Sequence, residues 1–198
     1  MPVRCLPADR KGRFPAPAAG FEPKGNYMIR KILTYPDPEL KKKSQPVTVI
    51  NDKVRELVRD MAETMYDAPG VGLAAPQIGV HQRIVVIDVT GKDEPAQLLV
   101  AINPAIIHAD GECYEEEGCL SIPKYAANVR RHERVVVKAL NLEGEETTFK
   151  ADGLLAIAFQ HEIDHLDGTL FIDHISPLKR EIFRRKYRRT LEDMQEAG

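Results

Sequence analysis

The stretch QHEIDHLDG, residues 160–168, sets His161 and His165 four positions apart with Glu162 beside the first. In a helix such positions lie one turn apart on one face, so the two imidazoles converge on a single ion and the glutamate reaches a water next to it. A catalytic site of this kind takes three protein ligands and leaves a further position open. The competing reading is a solvated helix face that carries two histidines by chance, and a third ligand decides between them.

Two ways of continuing the motif fit poorly. A metzincin-type protease would place a histidine where the chain has Phe171, and a thermolysin-type protease would use a downstream glutamate. Glu181 is available, but it stands among Lys179, Arg180, Arg184 and Arg185, where a surface ion pair accounts for it. His174 follows the helix beside an apolar run and reads as a packed or surface histidine. Cys119, in EEEGCLS, is the better candidate: Glu117 and Gly118 before it and Leu120 and Ser121 after it make a turn that points a sulfur inward, with the Leu120 N–H alongside. Taken alone, Cys119 reads as a small buried hydrophobe, the commonest fate of a free cysteine. Cys113 is read as a structural cysteine on a strand, and Cys5 falls in the N-terminal extension.

A length of 198 residues suits one well-buried core, so one catalytic domain with appendages is expected. No window approaches the roughly 18 apolar residues of a membrane span. The formal net charge of −2 gives no global reason to expect nucleic acid as substrate, DNA included. Three cysteines with no CxxC pair argue against a disulfide framework and for a reducing compartment, and no apolar leader is present, so cytoplasmic residence is expected.

Residues 1–27 hold five prolines among scattered charges and predict a loose extension outside the fold. Asp9, Glu22 and the prolines disfavour a transit peptide, and Met28 is a plausible original start. From residue 50 to 67, Val54, Leu57, Val58, Met61 and Met65 recur at helical spacing behind Asn51 or Asp52 as N-cap, with Pro69 and Gly70 as the stop. Strands are predicted over 83–89, 97–103 and 129–142, the last turning at 141–144 into a hairpin with 145–150. Helical period returns over 151–166 and again over 177–196. This order indicates a single α+β domain, with mixed or antiparallel sheets around a central HExxH helix and a long C-terminal helix. The expected division is 1–27 extension, 28–176 catalytic domain, and 177–198 basic helix and tail.

GVGLAAPQIG, residues 70–79, contains a G-x-G-x-x-A match, but a helix precedes it and Pro76 interrupts the segment after it, which defeats a dinucleotide turn. A glycine-rich loop that lets backbone approach a peptide ligand, ending in Gln77, fits better, and a plain tight turn is its bland alternative. Together, GVGLAAPQ, EGCLS and HEIDH resemble the three motifs of the peptide deformylases, in that family's order. The likeness runs from about Met28, through MIRKILTYPDPEL, to the C-terminal helix.

The resemblance implies hydrolysis of the formyl group from N-formylmethionine at the start of nascent polypeptides, with release of formate. By motif position it implies Cys119, His161 and His165 as ligands of one divalent ion, usually Fe(II), with Zn, Ni or Co able to replace it. Glu162 would carry the proton from an activated water to the leaving amine. The Leu120 N–H and the Gln77 amide would stabilise the oxyanion. Val71, Gly72, Glu117, Gly118, Leu154 and Ile157 are assigned to substrate binding; Leu154 and Ile157 share a helix face with His161 and, with Val71, resemble the pocket for the methionine side chain. A core role is the alternative for Leu154. Glu117 and Asp164 are also candidates for orienting the ligands.

Lys179, Arg180, Arg184, Arg185, Lys186, Arg188 and Arg189 make the C-terminal helix basic. A solvated face is the ordinary explanation; in some bacterial deformylases a comparable helix docks on the ribosome near the exit tunnel, and the same is expected here. The rival functions are an HExxH endopeptidase and a non-catalytic metal-binding adaptor. Neither accounts for GVGLAAPQ and EGCLS.

Overall fold

Ile84–Ile87 are four consecutive apolar residues, all buried. A strand buries both its odd and its even side chains only when both faces of its sheet are covered. The computed structural model, which describes residues 27–91 and 94–196 and side chains as far as Arg188, shows how this is done. The expected extension lies outside the described residues except for Tyr27, and so does the Arg189 side chain.

The elements, in chain order, are α1 (Asp52–Asp67), β1 (Gly72–Ala74), β2 (Ile84–Ile87), β3 (Leu99–Asp110), β4 (Cys113–Cys119), β5 (Ile122–Arg131), β6 (Arg134–Leu140), β7 (Glu146–Asp152), α2 (Gly153–Leu166) and α3 (Pro177–Glu196). A five-stranded sheet runs β1-β2-β3-β6-β7 and a two-stranded sheet pairs β4 with β5, with every named pairing antiparallel. On one face of the larger sheet, Leu73, Ile84, Val86 and Ile102 pack against Val54, Val58, Met61 and Met65 of α1. On the other, Val85, Ile87, Val135 and Val137 pack against Ala156, Phe159, Ile163 and Leu166 of α2. The HEIDH helix is therefore central. A third cluster joins Phe183 and Tyr187 of α3 to Ile122 and Val129 of β5 and to Phe171.

The ends of α1 obey the local chemistry. Asn51 is the N-cap, its side chain accepting the Val54 N–H at 3.2 Å. In the middle of the chain the strands differ from expectation. The single strand predicted over 129–142 is two, β5 and β6, broken at His132 and Glu133. Arg131 turns inward there, and Gln160 clasps the backbone of His132 from both sides, accepting its N–H and donating to its carbonyl at 2.9 Å each. β3 runs on to Asp110 through Pro104, which a ladder tolerates only at an irregularity; the register with β6 shifts between Ile102 and Ala105. The run 113–119, read in part as a turn, is mostly strand β4, and β1 forms where only a loop was expected.

The last turn of α2 is fixed by Gly168, whose φ of +72° is left-handed and whose missing Cβ would lie 2.4 Å from the Lys41 carbonyl oxygen. Gly168→Ala should destabilise the fold by about 1–3 kcal/mol from backbone strain alone, with the clash adding to it. An unchanged urea midpoint would contradict this.

Candidate active site

α2 presents His161 and His165 on one face, with ring centroids 5.0 Å apart. Cys119 reaches them from the tip of the β4–β5 hairpin. The ladder is regular as far as Gly118 opposite Ala126, then slips so that Cys119 faces Ile122 across the turn at Leu120 and Ser121. This break aims the sulfur at the helix, with Cys119 Sγ 3.2 Å from His165 Nε2. Cys119, His161 and His165 each offer one donor atom, and those atoms lie within 4.8 Å of one another.

Gln77 sits on a 3-10 turn (Ala75–Ile78) directly after β1. Its Oε1 accepts the Ala74 N–H at 2.8 Å, which fixes the amide so that Nε2 faces Ser121 Oγ at 3.2 Å and Cys119 Sγ at 3.7 Å. The extended N-terminal segment stitches these two loops together: Leu33 N–H donates to the Gln77 carbonyl and Tyr35 N–H to that of Ser121, both at 2.8 Å. The motif residues 70–79 and 117–121, distant in sequence, thus share one strap.

Glu162 is buried, and its Oε2 has no hydrogen-bond partner among the described residues. Burial pushes its carboxyl up to about 7, against the lowering effect of His161. Gly72 is what makes room for it, since a Cβ there would lie 2.4 Å from Glu162 Oε1. Gly70 stands in the same relation to Leu120, whose Cδ1 would be 2.7 Å away.

The matches to known proteins agree with this geometry. Residues 29–181 match the model of the family described as polypeptide deformylase. The chain is 53% identical over 171 residues to the peptide deformylase of Acidobacterium capsulatum, covering 86% of this chain and 98% of that one. The crystal structure of a peptide deformylase from Legionella pneumophila superposes with a TM-score of 0.80 at 47% identity, covering 86% of this chain and 99% of that chain. That of the enzyme from Ehrlichia chaffeensis in complex with actinonin gives a TM-score of 0.77 at 39% identity, covering 82% and 97%. The chain belongs to the polypeptide deformylase family.

Deformylases are metal-dependent enzymes, and the residues here fit an ion. A thiol and two imidazoles converge, and one ring is oriented: Glu117 Oε2 lies 2.8 Å from His161 Nδ1, and a carboxylate can only accept, so Nδ1 donates and Nε2 is the nitrogen left for an ion. Burial would raise the Glu117 carboxyl, but hydrogen bonds from His161 and Arg131 outweigh it and hold it down at about 2. Burial also disfavours charge on both imidazoles. It prevails at His165, whose pKa falls; at His161, Cys119 and Glu117 overturn it, and the pKa rises.

Arg131 was not singled out from the sequence. Its guanidinium is buried and bidentate to Glu117, with Nε to Oε1 at 2.6 Å and Nη2 to Oε2 at 3.0 Å, while Nη1 meets Asp164 Oδ2 at 2.6 Å. The available signal was phase, since Arg131 continues the inward alternation of buried Val129. Glu117, assigned to substrate binding and considered for ligand orientation, has both carboxylate oxygens engaged by Arg131 and His161. Asp164 bonds Arg131 and the exposed His174. Leu154 and Ile157 are half-buried and belong to none of the three core clusters; Val71 and Gly118 are exposed.

Gly72→Ala should displace the Glu162 carboxylate and lower turnover by roughly 100-fold, the scale of an ångström-sized misplacement. Steady-state kinetics beside an unaltered circular dichroism spectrum check this; retained turnover would mean that the close approach has no catalytic weight.

Proposed function

We infer that the chain is a deformylase that hydrolyses the N-formyl group of formylmethionyl nascent peptides, and that Cys119, His161 and His165 hold the single divalent ion. The observation that carries this reading is the meeting of the three donors beside a buried glutamate whose outer oxygen is unpartnered. A mixed thiolate and imidazole set suits Fe(II), our proposed ion, and equally accepts Zn, Ni or Co. Such an ion supplies Lewis acidity, which lowers the pKa of water and polarises the formyl oxygen.

The chain supplies the remainder. Glu162, kept from solvent and poised near neutrality, accepts a proton from water and delivers it to the departing amine. The Gln77 amide, fixed by Ala74, and the Leu120 N–H at the hairpin turn would donate to the oxygen on which negative charge develops. β1 is the edge strand of its sheet, and β4 pairs only with β5. The peptide would lie extended between these edges, its backbone held at Val71, Gly72 and Gly118 in the manner of strand addition. Leu154 and Ile157, with Val71, would receive the methionine side chain; their half-buried state outside the core supports this. The Ehrlichia relative is crystallised in complex with actinonin, which supports ligand binding by a chain of this fold.

Nascent chains as substrate, with free Cys113 and Cys119, support cytoplasmic residence. No helix among the described residues is long and apolar enough to cross a membrane. We propose also that α3 docks on ribosomal RNA. Phe183 and Tyr187 face the core while Lys179, Arg184, Arg185, Lys186 and Arg188 are exposed. Reversing the charge of Arg184, Arg185 and Arg188 should weaken ribosome binding and its salt dependence while hydrolysis of a short formyl-peptide persists; salt-insensitive, unaltered binding would defeat the docking proposal.

The decisive assay is formate release from formyl-Met-Ala-Ser by protein prepared anaerobically with Fe(II), against unblocked casein as the endopeptidase control. Glu162→Ala should retain the ion and lose about 10²–10⁴ in turnover, and Gln77→Ala about 10²–10³ with the ion retained. Casein cleavage without formate release would overturn the reading, and a fully active Glu162→Ala would remove that residue from proton transfer.

A further inference from the structure

We propose that Arg131 is a positioning residue for the metal centre: it clamps the Glu117 carboxylate against His161 Nδ1 and thereby fixes the ring orientation that leaves Nε2 to the ion. The inference rests on Cys119, His161 and His165 being the ligands.

Arg131 makes none of its described hydrogen bonds to a ligand ring or to the thiol, so any influence passes through what it holds. Its side chain is only 5% exposed, and Glu117 is 4% exposed. Glu117 carries one oxygen that receives only Arg131 Nε and a second shared between Arg131 Nη2 and His161 Nδ1. Without the guanidinium, a buried carboxylate would face one imidazole alone. Nothing else among the described residues would then hold that carboxylate against the ring N–H.

The fork of Arg131 also spans two elements. Nε and Nη2 grip β4 through Glu117, while Nη1 grips α2 at Asp164, three residues beyond His161. The backbone beside it is anchored to the same helix on the other side of His161, through the double clasp of Gln160 on His132. β5 thus fixes the distance between the strand that carries Glu117 and Cys119 and the helix that carries both histidines. A lysine has the charge but not the planar, two-directional donor set.

A merely structural ion pair would affect folding of the metal-free and loaded chains alike. A positioning role shows in how the ion is held. The test uses the full-length protein loaded with Co(II), measuring release to excess EDTA, the thiolate-to-cobalt absorption band, and melting of the metal-free form. In Arg131→Lys and Arg131→Met, release should be about 10–100-fold faster, the usual effect of losing a group that orients a ligand, with the band displaced by more than any change in metal-free melting explains. Adding Arg131→Met to Glu117→Gln should change release by less than about twofold, because the one acts through the other. That comparison removes both charges together and serves even where a single Arg131 variant does not fold. Wild-type release and spectrum in Arg131→Lys would overturn the proposal, as would multiplication of the Arg131→Met and Glu117→Gln effects. A wild-type chain that binds no Co(II) would instead overturn the ligand assignment beneath it.

Discussion

The thiol of Cys119 and the Nε2 of His165 meet at 3.2 Å, although one belongs to a hairpin tip and the other to a helix from a separate part of the chain. Holding polar groups together in a buried corner is unfavourable unless each neighbouring donor and acceptor is satisfied. The fold meets that demand in part and with few residues, leaving Glu162 Oε2 and His165 Nδ1 without hydrogen-bond partners among the described residues. Leu33 and Tyr35 tie the loops of Gln77 and Ser121 to one extended strap, Gln77 spends its oxygen on β1, and Glu117 and Arg131 satisfy each other beside His161. The apolar layers that place α2 between sheet and hairpin provide the low-dielectric surroundings in which these few bonds are strong.

The same surroundings set two glutamates to opposite ends of their range. Glu117 is buried but receives three charged or polar donors and stays ionised at about 2, whereas Glu162 is buried with an unpartnered oxygen and rises to about 7. One carboxylate is thereby held as an anion, and the other is suited to the proton transfer proposed for it. The distinction is drawn by Arg131 on one side and by Gly72 on the other, for a Cβ at Gly72 would lie 2.4 Å from Glu162 Oε1.

Much of this was legible in the sequence where periodicity and punctuation coincide. Asn51 caps α1, Pro177 opens α3, IVVI is a strand, and the HEIDH spacing led to the cluster in which Cys119 joins the two histidines. What was not legible depends on partners. β1 has three residues and exists because β2 pairs with it. The break between β5 and β6 carries no glycine, proline or asparagine; Gln160 captures the His132 backbone there, and the polar run RRHER between Val129 and Val135 gives no turn signal. Arg131 was passed over because an arginine on a strand ordinarily faces water. Only the tertiary fold brings Glu117 and Asp164 to it.

The C-terminal helix divides its labour by face, and that division bears on how the chain would work where polypeptides emerge. Phe183 and Tyr187 pack with Tyr35, Tyr125 and Phe171, and the ring of Phe171 stacks on that of His161 at 6.1 Å between centroids. The inner face therefore belongs to the wall behind the His161 ring, while Lys179, Arg184, Arg185, Lys186 and Arg188 are exposed. A polyanion engaging the outer face would meet long side chains on a helix already held by aromatic packing. Such engagement would leave His161 in place, since Glu117 holds its Nδ1.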